Sequence, residues 1–192
     1  MNLKTPHVVR SFISTTEQTV LRDWLFNEQA QGRLTRWNGN YFMGGYKFGD
    51  PENQTWEKAG EVILKPLQNV PDEFFRLRER IIDELGFHGF LLTPGNTAIG
   101  NVFLEGGLIQ PHIDSNIEGH WHVRCNVLLS KPIQGGELVI DGIEYSLNEC
   151  DLICFVADKH VHEVRRVIGP KKRAVVSYPM VMPEVWFEPT EP

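Results

Sequence analysis

The stretch "LIQPHIDSN" places His112 and Asp114 two residues apart. In an extended strand, residues i and i+2 face the same side. One imidazole nitrogen and one carboxylate oxygen could then take adjacent positions on a metal ion. A third ligand has to come from a distant part of the chain. "KHVHEV" (Lys159–Val164) offers two candidates, His160 and His162, among β-branched neighbours. Two imidazoles and one carboxylate on one face of an octahedral ion would leave the opposite face open.

An HxD pair is common by itself, and the later histidines add weight only in combination with an arginine downstream of them. Arg173 lies 11 residues after His162, where the apolar strand "RAVVSYP" begins. Burying a guanidinium is costly unless it pairs with an anion. A dicarboxylate co-substrate would supply that partner through a bidentate contact. Ser177, four residues on, shares the strand face and could add a hydroxyl bond. The combined ligand set is that of the non-haem iron(II) oxygenases, whose open positions take O2 and an oxidisable co-substrate. In "GHWHVRCN", His122, Arg124 and Asn126 alternate onto one face. They line a pocket if that face is interior and meet solvent if it is not. Arg124 is the substrate-binding candidate, for a carboxylate or a peptide carbonyl.

These residues need a scaffold of strands, and the chain supplies one in its second half. Short β-rich runs at 99–104, 108–113, 121–130, 136–140, 143–146, 151–156, 160–165 and 172–181 are separated by Gly, Pro, Asn and Asp. With no helix between them, they predict an antiparallel barrel or jelly roll. The first half differs. "STTE" (Ser14–Glu17) has capping-box form and predicts a helix over 16–31, ending near Gly32. Residues 33–56 are rich in Gly, Asn and aromatics and predict short strands joined by turns. "VPDEFFRLRERIIDELGF" predicts a second helix over 71–85, closed by Gly86. Helices first and strands after give an α+β fold. We expect one domain over 1–192, with a helical part at 1–90 and a β core at 91–192.

Composition narrows the function classes. The chain has 192 residues, is 41% hydrophobic and carries a net charge of −6. Acidity argues against tight generic nucleic-acid binding. "RLRER" (Arg76–Arg80) is surrounded by Glu73, Glu79, Asp83 and Glu84 and predicts a solvated helix face. The three cysteines form no CxxC motif, which points to a reducing compartment and predicts a cytoplasmic protein. Cys150 and Cys154 sit in an apolar run and predict small buried hydrophobes. No apolar run is long enough to suggest a membrane helix.

From about 99 to 181 the chain resembles the iron(II)- and 2-oxoglutarate-dependent dioxygenases. Their core is a double-stranded β-helix of jelly-roll, cupin-like type, and they carry HxD…H with a following basic residue. "GGEL" (Gly135–Leu138), "HEV" (His162–Val164) and "RC" (Arg124–Cys125) are similar to the prolyl-hydroxylase branch. "NVFLEGGLIQPHID" is similar to the approach to HxD in the AlkB-type branch.

The resemblance implies Fe(II) on His112, Asp114 and His162, with His160 further along the same strand face near the site rim. It implies 2-oxoglutarate on Arg173 and Ser177. Asn101 and Phe103 occupy the two positions that contact 2-oxoglutarate in the AlkB-type branch. Phe103 lacks the phenol hydroxyl found there, and Pro179 stands where that branch has a second arginine. Both departures count against nucleic-acid repair. Segments like the one holding Trp37, Asn38, Asn40 and Tyr41 fold over the barrel mouth in this family. Substrate contacts are therefore expected from Arg124, His122, His160, Trp37 and Tyr41.

The reaction implied is hydroxylation of a C–H bond in a peptide or protein side chain, or in a small metabolite. O2 is the co-substrate, and succinate and CO2 are co-products. Two alternatives are an AlkB-like oxidative demethylase of nucleic acid and a non-catalytic cupin-like binding module.

Overall fold

Helix α1 (Thr15–Ala30) follows a short first strand, β1 (His7–Val9), and starts where its cap dictates. The Ser14 hydroxyl accepts from the Glu17 N–H, and the Glu17 carboxylate accepts from the Ser14 N–H. Two of the donors that open a helix are thereby satisfied. Strands β2 (Thr35–Trp37), β3 (Tyr41–Lys47), β4 (Glu57–Ala59) and β5 (Val62–Pro66) come next, and then helix α2 (Asp72–Leu85). Gly86 ends α2 with φ of +70°, the left-handed cap that glycine adopts without strain.

The remaining strands are β6 (Thr97–Phe103), β7 (Ile109–His112), β8 (His120–Ser130), β9 (Gln134–Gly135), β10 (Leu138–Ile140), β11 (Ile143–Tyr145), β12 (Leu152–Val156), β13 (His162–Val164), β14 (Val167–Ile168) and β15 (Arg173–Pro183). This computed structural model describes residues 5–37, 40–48, 57–59, 62–86, 97–115 and 118–183. Among them, no helix is long and apolar enough to cross a membrane.

The strands form two facing sheets. The larger runs β1-β12-β8-β15-β6-β3-β5-β4, with β2 paired to β3. The smaller runs β11-β10-β13-β7, and β14 pairs with β9 beside them. All pairings are antiparallel except β3 with β5. The strands expected at 136–140, 143–146, 151–156 and 172–181 all appear, with small shifts at their ends. Strands β1, β5 and β14 carry no periodic signal of their own and exist through their partners.

Period-2 alternation divides the larger sheet between two cores. Val102, Val123, Cys125, Val127, Cys154, Val176 and Tyr178 point outward and pack under the two helices with Leu21, Leu25, Phe74 and Ile81. Ile99, Phe103, Ile153, Phe155 and Val175 point inward and meet Leu138, Ile140 and Val164 of the smaller sheet. Full burial of side chains such as Leu25 and Phe74 contributes roughly 1.5–3 kcal/mol each. The helices therefore brace the back of the larger sheet, and the space between the sheets is left for chemistry. The "RLRER" face is solvated only in part: Arg76 pairs with Glu73 in the open, whereas Arg78 lies largely buried over the Phe48 ring and Arg80 reaches across to Glu17 of α1. All three cysteines are buried thiols.

"GGEL" has a mechanical explanation. Gly135 and Gly136 both have positive φ, +73° and +71°. A Cβ on Gly135 would sit 1.9 Å from the Arg166 carbonyl oxygen, closer than any side chain allows. The tight crossing lets the Gly136 carbonyl accept a 2.8 Å hydrogen bond from Arg173 Nε. Gly135→Ala is expected to destabilise by at least about 2 kcal/mol, from the left-handed φ together with the backbone clash. Gly169→Ala, at φ +86° in open space, is expected to cost less. Thermal denaturation of the two variants compares them, and equal losses would contradict the crossing as the cause.

Candidate active site

His112 ends β7 and His162 begins β13, and the two are direct partners across the smaller sheet. The β7–β13 register slips there, with one extra residue on β7 between Ile109 and His112. Pro111 lies in this interval. β7 is the edge strand of its sheet, where a residue without an N–H is tolerated. A bulge at such a place re-aims the next side chain. Asp114 falls just beyond the strand, unlike the regular strand geometry that the spacing suggests. Its position comes from its own N–H, which donates to the Ala157 carbonyl at 3.0 Å.

The three side chains converge. One ligand atom from each of His112, Asp114 and His162 lies within 4.8 Å of the others. Asp114 Oδ1 is 3.4 Å from His112 Nε2 and 3.8 Å from His162 Nε2. Adjacent ligand atoms on an octahedral ion with bonds of about 2.1 Å stand about 3 Å apart, so a small contraction would close the set.

The imidazoles are also oriented. His112 Nδ1 donates to the Gln110 carbonyl at 2.9 Å, and His162 Nδ1 donates to the His160 carbonyl at 3.0 Å. A carbonyl only accepts, so Nδ1 carries the proton and Nε2 presents its lone pair. The donor set, two neutral imidazole nitrogens and one carboxylate, fits a divalent transition metal.

Electrostatics agree with that arrangement at Asp114 and His162, whereas His112 is shifted toward the protonated form that a metal ion would displace. Burial alone would raise the Asp114 carboxyl, but His112 and Arg124 beside it hold it well below the usual carboxylate range. The bond to Asp114 raises His112, whereas burial lowers His162. His122 is pushed down to about 4 by burial and then by Arg124, and stays neutral near pH 7.

A histidine depressed in the fold gains its proton first in the unfolded chain. Stability present above the unfolded value of about 6.5 is therefore lost as pH falls toward 4. For a ring this buried, the loss is on the order of 3 kcal/mol. We expect His122→Gln to flatten the acid limb of the metal-free protein's melting temperature between those values. An unchanged limb would assign it to other groups.

The second part of the site lies on the inward face of the larger sheet. Register puts Tyr41, Phe103 and Arg173 side by side across β3, β6 and β15. The Tyr41 and Phe103 rings stack at 4.2 Å and 5°, and the Arg173 guanidinium lies 5.1 Å from the Phe103 centroid. Tyr41 Oη donates to Asn101 Oδ1 at 2.6 Å. A phenol hydroxyl therefore stands beside Asn101 on a ring stacked against Phe103 from another strand. Burial pushes that phenol up, so it stays protonated.

Arg173 is only 4% exposed, and burial lowers it to about 10. Among the described residues its hydrogen bond is to the Gly136 carbonyl, and no carboxylate pairs with it. A buried cation without an anion is what a ligand carboxylate would complete. Ser177 is buried on the same inward face, opposite Asn126 on β8, and the Asn126 Oδ1 is buried without a partner among the described residues.

The remaining expected site residues divide. His122 and Arg124 do face the interior. Arg124 Nε donates to Asp114 Oδ2 at 2.7 Å, and His122 Nδ1 is 3.5 Å from the same oxygen. His160 does not lie along the strand face as expected. β13 begins only at His162, and the His160 ring turns to Asp141 Oδ2 at 2.6 Å. Its contribution to the site is its carbonyl. Trp37 is partly buried against the inner core, opposite Tyr41. Asn40 is a turn fastener, with Nδ2 donating to the Glu105 carbonyl. Asn38 and residues 49–56 of that segment lie outside the described residues. Sequence reasoning missed the Tyr41 phenol as a neighbour of Asn101, because only the β3–β6 register reveals it.

No family model matches the chain, and no curated protein sequence matches it. Solved structures do. It is similar to a prolyl-4-hydroxylase from Pseudomonas putida, with TM-score 0.58, 16% identity and 91% of each chain covered. A viral collagen prolyl hydroxylase from Paramecium Bursaria Chlorella virus-1, solved as a 2OG complex, gives TM-score 0.61 and 13% identity over 93% of this chain and 97% of that one. A prolyl hydroxylase solved with a hypoxia inducible factor peptide fragment, from Trichoplax adhaerens, gives 0.60 and 15% over 97% and 87%. Two facing antiparallel sheets, braced by N-terminal helices and spanning nearly the whole of these structures, show that the chain has the double-stranded β-helix fold of the prolyl hydroxylases.

Proposed function

We propose that the protein is an iron(II)- and 2-oxoglutarate-dependent dioxygenase that hydroxylates a C–H bond of a peptide or protein side chain, or of a small metabolite. One observation carries this reading: His112, Asp114 and His162 converge in the same interior that holds the buried Arg173 guanidinium, with which no carboxylate pairs among the described residues.

His112 Nε2, His162 Nε2 and Asp114 Oδ1 would hold the iron. Bound there with 2-oxoglutarate, iron supplies the oxidative chemistry that activates O2 and yields succinate and CO2. The chain's own residues do the rest. Arg173 takes the distal carboxylate of the co-substrate by charge, and Ser177 adds a hydroxyl. The Tyr41–Asn101 pair borders the same space and orients the bound acid. Phe103, Phe155 and Val175 keep water from it, which strengthens each of these contacts.

A peptide substrate is supported by the Trichoplax neighbour, which was solved with a peptide. Tyr41 makes good the hydroxyl absent at Phe103. The case against nucleic-acid demethylation therefore rests on Pro179 and the net charge of −6.

The test is iron(II)-dependent succinate formation from 2-oxoglutarate, screened against proline-containing peptides, free amino acids and methylated oligonucleotides. Stimulation by a peptide or amino acid is expected. Stimulation by oligonucleotides alone would move the reading to demethylation. Absence of any 2-oxoglutarate turnover by metal-loaded protein would leave a binding module.

A further inference from the structure

The two oxygens of Asp114 face different neighbours. Oδ1 looks toward His112 Nε2 and His162 Nε2, at 3.4 and 3.8 Å. Oδ2 is turned away and accepts from Arg124 Nε at 2.7 Å. Asp114 stands on a loop, whereas Arg124 rises from the middle of β8, hydrogen-bonded to β12 on one side and β15 on the other. The rigid partner is therefore the arginine. The carboxylate side chain is only 11% exposed, so water cannot replace the guanidinium easily.

We infer that Arg124 is a positioning residue that confines Asp114 to a single metal-facing oxygen. Bringing Oδ2 onto the ion would break a charge-assisted hydrogen bond and leave a half-buried guanidinium unpaired. The consequence concerns the open face of the site. A carboxylate that binds through both oxygens takes a position that the co-substrate or O2 needs. Arg124 keeps that position free, through Asp114 and without touching the metal. This differs from the substrate contact expected of Arg124 from the sequence, and it rests on the metal centre proposed above.

Manganese(II) tests it without turnover, because water-proton relaxation reports how many waters the ion keeps. Wild-type protein, Arg124→Met, Arg124→Gln and Arg124→Lys are loaded with manganese(II), and relaxation and 2-oxoglutarate affinity are measured. Three protein ligand atoms leave three water positions on an octahedral ion. Arg124→Met is expected to lose one, lowering the relaxation enhancement by about a third. Its 2-oxoglutarate affinity is expected to fall by about 10–100-fold, the range typical of outer-shell partners. Arg124→Lys, which retains a cationic donor, is expected to recover most of both. If the Met variant does not fold, Arg124→Gln carries the same comparison. Wild-type relaxation and affinity in a folded variant lacking the cation would overturn the inference. So would tighter manganese binding with three waters kept, since Arg124 would then only compete with the ion. Failure of the wild-type protein to bind manganese would instead strike the metal centre itself, and the inference with it.

Discussion

Replacing His162 by alanine is expected to weaken metal binding by at least about 100-fold, beyond the range seen for outer-shell partners, and to abolish 2-oxoglutarate turnover. Replacing His160, two residues earlier, is expected to do neither. The contrast comes from what each histidine offers. His162 directs Nε2 at Asp114 and is nearly buried, with its Nδ1 tied to a backbone carbonyl. His160 supplies that carbonyl, which survives substitution, and its ring makes an exposed hydrogen bond with Asp141 Oδ2. Such a bond contributes about 0.5–1.5 kcal/mol. Cobalt(II) titration of the two variants, followed by calorimetry or the metal's visible absorption, makes the comparison. Equal loss in both would place the ligand elsewhere. Retention of tight binding by His162→Ala would remove the triad.

Arg173→Met should separate co-substrate binding from stability. A ligand carboxylate left without its buried cationic partner costs about 3–5 kcal/mol, so 2-oxoglutarate affinity should fall on the order of 10²–10⁴-fold. The ligand-free fold should respond differently. Arg173 is buried with no carboxylate paired to it among the described residues, and burial disfavours its charge. Methionine, which keeps an unbranched stem without the guanidinium, removes that desolvation penalty, at the expense of the hydrogen bond to Gly136. The ligand-free variant is therefore expected to melt no lower than the wild-type protein. Calorimetric melting and 2-oxoglutarate titration of metal-loaded protein give the two numbers. A marked loss of stability with unchanged affinity would make Arg173 a structural fastener of the Gly135–Gly136 crossing.

The two predictions share a physical cause. The inter-sheet space holds groups that a ligand would complete: two imidazole lone pairs and the metal-facing oxygen of a carboxylate whose other oxygen is paired with Arg124, and a guanidinium with which no carboxylate pairs among the described residues. Natural cores avoid such groups unless a ligand completes them. The helices, the outward face of the larger sheet and the hydrophobic inner residues supply the stability against which this is set.

Much of this was legible in the order of residues. Ser14 and Glu17 three apart mark the start of a helix, and Gly86 marks the end of another, because capping is decided within a single turn of chain. Arg173 and Ser177 share a face because strand parity is local. The β-rich runs after residue 97 announce a jelly roll for the same reason.

Tertiary structure decided the rest. Asp114 leaves the strand, and its place depends on the Ala157 carbonyl, 43 residues away. The choice between His160 and His162 depends on where β13 begins, which is set by pairing with β7 and β10. Tyr41 meets Asn101 only through the β3–β6 register, and Arg124 meets Asp114 only because β8 faces a loop of the other sheet. Local sequence encodes torsions, caps and parity. Register and bulges are settled by the free energy of closing the whole barrel, which no short window of residues contains.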